Sequence, residues 1–209
     1  MAATHRPSLP ERTAAARLIV VIRGERAEQY APVLEALADA GIRSVELTLS
    51  TPGTLAELAR LHERFGTRMD IGVGTVTDPA DLRTAAAHGA DFIVTPITRA
   101  DLLDEAAAAG IPIVPGGLTP SELHAGWSAG AAAVKVFPAS VVGPGYVKDL
   151  RGPSPASGWS PRAGWTSKPQ GTGCGPGPRP SPWAGPWSAM RCGAAASRRS
   201  PSAPRSSST

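Results

Sequence analysis

The chemistry of this chain is concentrated in one hexapeptide. Val134-Lys135-Val136-Phe137-Pro138-Ala139 sets a lysine inside a run of β-branched and aromatic residues, where a buried strand carries apolar side chains. A buried ammonium is unfavourable unless it is paired or gives up its proton. Lowering a lysine pKa from roughly 10.4 to near 7 requires ~4 kcal/mol of destabilised charge. The neutral amine so produced attacks carbonyl carbons, which is the first step of Schiff-base chemistry. On this segment alone, a strand-end lysine reaching to solvent is the competing reading. The second anomaly is Glu46, a carboxylate inside the apolar run Ser44-Val45-Glu46-Leu47-Thr48-Leu49-Ser50. The third is Arg23, which closes Leu18-Ile19-Val20-Val21-Ile22.

The elements that must position these groups repeat along the chain. The first strand spans 17–24, and 25–40 has helical spacing at Val33, Leu34 and Leu37 and a stop at Gly41. A strand at 44–50 precedes a helix opening at Thr51-Pro52 and ending before Gly66. Ile71 to Val76 is the third strand, and Asp78-Pro79 starts the next helix. Phe92-Ile93-Val94-Thr95-Pro96 is the fourth, followed by an Ala-rich helix up to Gly110. Pro112 to Gly117 is the fifth, Thr119-Pro120-Ser121-Glu122 caps a helix, and the Lys135 strand is the sixth. Near-continuous apolar strands alternating with helices predict parallel β/α units, either in a (β/α)₈ TIM-type barrel or in an open doubly wound sheet. Arg23, Glu46, Thr75, Pro96 and Lys135 recur at one position of the repeat. In a barrel those strand ends converge over one face, so the barrel is the favoured expectation.

Composition narrows the class. The formal charge is +4, but all 17 acidic residues lie at or before Asp149, and seven of the 21 basic residues lie beyond Ser154. The body therefore has fourteen basic against seventeen acidic residues, an ordinary mildly acidic balance that argues against nucleic acid as a partner. Both cysteines, Cys174 and Cys192, are outside the body, which implies no disulfide framework there. No apolar stretch approaches the ~20 residues of a membrane span. Residues 1–12 lack the apolar core of a signal peptide. His62, His88 and His124 fall on helical stretches without metal-ligand spacing, so no metal is expected. A cytoplasmic enzyme is the expectation.

Six stretches, in order, resemble the KDPG/KHG aldolase family of class I aldolases. They are Val-Ile-Arg-Gly at 21–24, Val-Glu-Leu-Thr-Leu at 45–49, Gly-Val-Gly-Thr-Val at 72–76, Ile-Val-Thr-Pro at 93–96, Ile-Val-Pro-Gly at 113–116 and Val-Lys-Val-Phe-Pro-Ala at 134–139. The resemblance runs from Leu18 to about Pro153 and implies a (β/α)₈ barrel. It implies Lys135 as the Schiff-base lysine and Glu46 as the carboxylate that shuttles protons during carbinolamine formation and C–C cleavage. Arg23 and Thr75 match positions that hold the carboxylate end of pyruvate or the rest of the substrate, and Pro96 and Phe137 match residues lining the pocket. Those roles suit a retro-aldol reaction. An iminium on Lys135 is an electron sink without a metal or cofactor, a desolvated Glu46 is a general base, and Arg23 is a cation for an anion. The implied substrate is a 2-keto-3-deoxy sugar acid phosphate, 2-dehydro-3-deoxy-6-phosphogluconate, cleaved to pyruvate and glyceraldehyde 3-phosphate. The galactonate isomer and 4-hydroxy-2-oxoglutarate are the alternatives, and a homotrimer is implied. Ser50 stands where some members of the family carry arginine or asparagine, which leaves the sugar-acid preference open.

After Leu150 there is no Leu, Ile, Val or Phe. Residues 154–209 are Pro, Gly, Ser, Ala and Arg with four tryptophans, a composition that predicts disorder. The expected organisation is a partial barrel over 1–153, with about six β/α units, and a low-complexity tail over 154–209 in place of strands seven and eight. The family resemblance requires two more β/α units there, carrying a Thr-Gly-Gly loop and a Gly/Ser loop for a phosphate. When Gly158 to Thr166 is back-translated and read from the third base of each codon, the shifted frame permits Leu-Val-Pro-Thr-Gly-Gly-Leu-Asp. A single-base deletion near codons 153–154 accounts for both observations. On that reading the literal barrel has two open strand edges, folds poorly and is nearly inactive on a phosphorylated substrate, an inactive relic being the limiting case.

Overall fold

A strand that is apolar on both faces must be covered on both, and the chain meets that demand by alternating strands with amphipathic helices. The computed structural model describes residues 6–151, 164–167 and 187–193. A short helix α1 (Glu11–Ala16) precedes β1 (Leu18–Arg23), and a 3-10 turn (Ala27–Gln29) leads into α2 (Tyr30–Asp39). Then come β2 (Ser44–Thr48), α3 (Thr54–Phe65), β3 (Asp70–Gly74), α4 (Pro79–Ala87), β4 (Phe92–Val94) and α5 (Ala100–Ala108). The fifth strand is split at Pro115 into β5 (Ile113–Val114) and β6 (Gly116–Gly117), followed by α6 (Pro120–Ser128), β7 (Lys135–Val136) and α7 (Gly143–Arg151). All strand pairings are parallel, in the order β5-β4-β3-β2-β1 with β6 beside β7. This is the wall of the expected (β/α) barrel.

Alternate residues along each strand sort into two layers, as a period of two requires. Val20, Ile22, Val45, Leu47, Ile71 and Val73 face outward and pack with Leu34, Leu58, Leu61 and Phe65 of the helices. Phe92, Val94, Val114 and Ala133 form a separate inner cluster, joined by Ile19 and by Leu9 from the N-terminal segment. That segment is anchored further along by Arg6, which lies 3.4 Å over the Trp127 ring and donates to the Trp127 carbonyl at 2.8 Å.

Local signals set several helix starts. Asp78 caps α4 by accepting from the Ala80 N–H, with Pro79 at the first helical position. Thr119 and Glu122 cap α6 reciprocally. The helix after β2 starts at Thr54 rather than at Thr51-Pro52 as the sequence suggests, because Gly53 takes a left-handed backbone, φ 84°, just before it. The helix expected over 25–40 is likewise delayed to Tyr30 by the 3-10 turn.

Two stretches of the tail are among the described residues. Backbone of β8 (Gly164–Ser167) and β9 (Trp187–Gly193) lies in the sheet, β9 paired along Leu18 to Arg23 of β1 and β8 paired with β9. The edge of β1 is therefore covered rather than open. An uncovered edge presents a row of N–H and C=O groups that any extended segment can satisfy, whatever its side chains. The rest of the disorder expectation falls outside the described residues. Among the described residues no helix is long and apolar enough to cross a membrane.

Candidate active site

Lys135 owes its orientation to the register of β7. It lies two residues beyond Ala133, a member of the inner cluster, so its side chain points to the barrel interior. Its backbone is fixed opposite Gly116, and its N–H donates to the Pro115 carbonyl at 2.9 Å. The side chain is half-buried, with Nζ 5.2 Å from the centroid of the Phe137 ring. An ammonium at that distance is attracted by the negative face of the ring.

Glu46 reaches the same interior from the other side of the wall. It is paired with Val21 of β1 and Gly72 of β3, and Gly72 in turn lies opposite Phe92 of the inner cluster. Its neighbours Val45 and Leu47 point the opposite way and are fully buried against the helices. Glu46 is itself buried, with 6% exposure, and its carboxylate lies over the face of Gly74 toward the strand's C-terminal end. The two groups singled out by charge in apolar strands therefore lie on the same, inner face of the wall.

The remaining predicted residues gather at the same ends of the strands. Arg23 is the last residue of β1 and is exposed, and among the described residues it has no carboxylate partner. Thr75 follows β3 directly with φ of 64°, a left-handed backbone that β-branched residues rarely adopt. Such strain is worth about 1–3 kcal/mol and tends to be kept where a site uses it. Thr75 does not cap the following helix, a role that Asp78 fills. Pro96 is half-buried just past β4, and its carbonyl closely approaches Gly116, opposite Lys135. Phe137 is half-buried beyond β7, with its N–H on the Gly117 carbonyl at 3.0 Å. Ser50 is exposed and donates to the Thr48 hydroxyl at 3.0 Å.

Sequence reasoning missed three contributors. Gly72 and Gly74 make room for the Phe92 ring and the Glu46 carboxylate, a role signalled only by glycine inside a buried strand. Thr51 holds the Gly24 backbone beside Arg23. Away from the site, His62 Nε2 lies 3.3 Å from Asp91 Oδ1. Among the described residues no group of three or more His, Cys, Asp or Glu is placed to hold a metal ion.

Comparison with known proteins gives a consistent picture. The family model for KDPG and KHG aldolase matches residues 9–168. A 2-dehydro-3-deoxy-6-phosphogalactonate aldolase of Escherichia coli is 32% identical over 139 residues, covering 66% of this chain and 68% of the relative. A 2-dehydro-3-deoxy-phosphogluconate aldolase of Pseudomonas aeruginosa is 36% identical over 150 residues, covering 71% of this chain and 68% of the relative. The solved KDPG aldolase of Legionella pneumophila, with pyruvate captured at low pH as a covalent carbinolamine intermediate, superposes with a TM-score of 0.66. It is 31% identical and covers 75% of this chain and 76% of its own.

Proposed function

The chain belongs to the KDPG and KHG aldolase family, and from that premise we propose that it is a class I aldolase with Lys135 as the Schiff-base residue and Glu46 as the proton carrier. As a member of a family of aldolases it is a carbon–carbon lyase. The observation that carries the assignment is the shared orientation of Lys135 and Glu46 toward the barrel interior, fixed by the strand register.

The reaction follows from those two groups. Lys135 Nζ adds to the C2 carbonyl of a 2-keto-3-deoxy sugar acid phosphate, and loss of water from the carbinolamine leaves an iminium. The Glu46 carboxylate takes the proton of the C4 hydroxyl, the C3–C4 bond breaks, and its electron pair passes into the iminium. The aldehyde departs as glyceraldehyde 3-phosphate and an enamine of pyruvate remains. Protonation at C3 by the Glu46 carboxyl and hydrolysis of the resulting iminium release pyruvate and restore the amine. Arg23 and Thr75 meet the anionic substrate, with Pro96 and Phe137 lining its pocket.

The pyruvate half of this cycle is testable by itself. Borohydride with pyruvate is expected to fix one pyruvyl group per chain on Lys135, and Lys135→Ala is expected to abolish the label. The wild-type chain is expected to exchange the methyl protons of pyruvate in D2O, and Glu46→Gln to slow that exchange about 10²- to 10⁴-fold, the usual scale of general acid–base catalysis. Label that persists in Lys135→Ala would sink the assignment.

The gluconate isomer is the proposed substrate, in line with the 36% identity to the Pseudomonas enzyme. The galactonate isomer is the second reading, favoured by the Escherichia relative and by Gly143-Pro144-Gly145-Tyr146-Val147-Lys148 after β7. Comparing kcat/KM on the two isomers and on 4-hydroxy-2-oxoglutarate separates them. A cytoplasmic homotrimer is part of the same proposal, and light scattering of the purified chain tests its size.

The tail bears on this activity. We propose that residues 154–209 are read in a shifted frame, supported by the absence of Leu, Ile, Val and Phe after Leu150 and by the Thr-Gly-Gly that the other frame permits. On that basis the literal chain reacts with pyruvate but turns over phosphorylated substrate poorly. Resequencing codons 145–165 of the source gene decides it, and an unbroken present frame ends the proposal.

A further inference from the structure

β3 carries two glycines, Gly72 and Gly74, at buried positions in the middle of a parallel wall, where strands ordinarily carry β-branched side chains. Neither adopts a left-handed backbone, so conformation does not demand glycine at either place. What each provides is space, but for different neighbours. A Cβ on Gly72 would overlap the ring of Phe92, which is fully buried in the inner cluster. A Cβ on Gly74 would overlap Oε1 and Cδ of Glu46 and lie 2.5 Å from its Cγ. The Gly74 backbone has no freedom to retreat. It is paired with Thr48 on one side and Val94 on the other, and its carbonyl accepts from the Leu49 N–H at 2.8 Å. The Glu46 carboxylate, by contrast, is the free end of a flexible side chain.

We propose that Gly74 is a positioning residue for the Glu46 carboxylate. By lacking a side chain it lets the carboxylate lie across β3, toward the strand ends where Thr75, Pro96 and Lys135 gather. A methyl at 74 leaves the wall intact and moves the carboxylate off that line, so its effect falls on proton transfer rather than on folding or on the lysine. The proposal rests on the aldolase reading given above, in which Glu46 carries the protons.

The test uses the full chain and pyruvate alone. Gly74→Ala is expected to slow methyl-proton exchange about 30- to 100-fold, part of the full general-base contribution. The end-point yield of borohydride trapping on Lys135 is expected to stay within about twofold, with the thermal midpoint little changed. In the Glu46→Gln background Gly74→Ala is expected to add less than about a twofold loss, because the group it displaces is already inert. Equal losses from Gly74→Ala with Glu46 intact and in the Glu46→Gln background, or no loss at all, overturn the proposal while leaving the aldolase reading in place. The proposal also falls, on its own, if Gly74→Ala unfolds the chain and Glu46→Ala, which removes every side-chain atom the methyl meets, does not restore it. If Glu46→Gln leaves exchange untouched, or Lys135→Ala still traps pyruvate, the aldolase reading fails and this proposal fails with it.

Discussion

Thr51 holds Gly24 through a single hydroxyl, which accepts from the Gly24 N–H at 3.0 Å and lies 3.2 Å from the Gly24 carbonyl oxygen. On the other side of Arg23, the Ile22 carbonyl accepts from the Thr48 hydroxyl at 3.3 Å. Arg23 thus sits between two backbone units pinned by the exit of β2, while its own side chain is exposed and, among the described residues, meets no carboxylate. The loop after β2 sets where the guanidinium starts from, and the guanidinium stays available for an anion.

Thr51→Val, which keeps the shape and removes the hydroxyl, is therefore expected to loosen Arg23 without touching Lys135 or Glu46. Loss of one such hydrogen bond is worth about 0.5–1.5 kcal/mol, a roughly 2- to 12-fold rise in KM for pyruvate in the exchange assay at nearly constant kcat. A fall in kcat with KM unchanged would contradict the link to Arg23.

Gly72→Ala is expected to act through packing instead. Its methyl collides with Phe92, which is fully buried, and overpacking of this kind destabilises by about 1–3 kcal/mol. A urea midpoint measures the loss. Phe92→Leu in the same background is expected to be less damaging than the sum of the two single changes, and strictly additive losses would show that the ring is not the obstacle.

How far the sequence reveals all this depends on the kind of signal. Lys135 and Glu46 stand out in the sequence because each is a charge within an apolar strand, and the recurrence of polar strand ends points to one face of a barrel. The left-handed Thr75 is not legible, since threonine does not advertise positive φ. Nor is the delayed start of α3, because Thr51-Pro52 is a good helix opening locally, yet the chain first takes a left-handed turn at Gly53. Gly72 and Gly74 are visible as anomalies in a strand, but the atoms that need the space, on Phe92 and Glu46, come from the two neighbouring strands.

The opposite end of the barrel offers a control. Asp70 opens β3 and is buried, its Oδ2 accepting from the Thr13 N–H and hydroxyl at 2.7 Å each and its Oδ1 from Arg12 at 3.0 Å. Hydrogen bonds to a charged acceptor are worth about 1.5–3 kcal/mol, so Asp70→Asn is expected to lower stability by an amount on that order. Pyruvate trapping measured below the melting range is expected to be unchanged, because the chemistry lies at the other ends of the strands. A trapping defect in a folded Asp70→Asn chain would place catalysis wrongly.

Acid should expose the cap of α6. The Glu122 carboxylate is held below its ordinary range by the Thr119 N–H, the Thr119 hydroxyl and the Leu118 N–H, at 2.8, 2.7 and 3.0 Å. A carboxyl whose folded pKa lies below its unfolded one binds fewer protons in the folded state. Its stabilisation is then complete above the unfolded value of 4.5 and is lost as pH falls through the lowered folded value. Glu35, held low by Arg68 and Arg64, titrates in the same acidic window. The difference between two proteins therefore carries the test rather than the wild-type curve. Glu122→Gln keeps an acceptor for the cap but has no charge to lose, so between pH 6 and pH 3 it is expected to lose less stability than the wild type does. Thermal midpoints across that range measure it, and parallel curves would mean that the Glu122 charge contributes nothing to the fold.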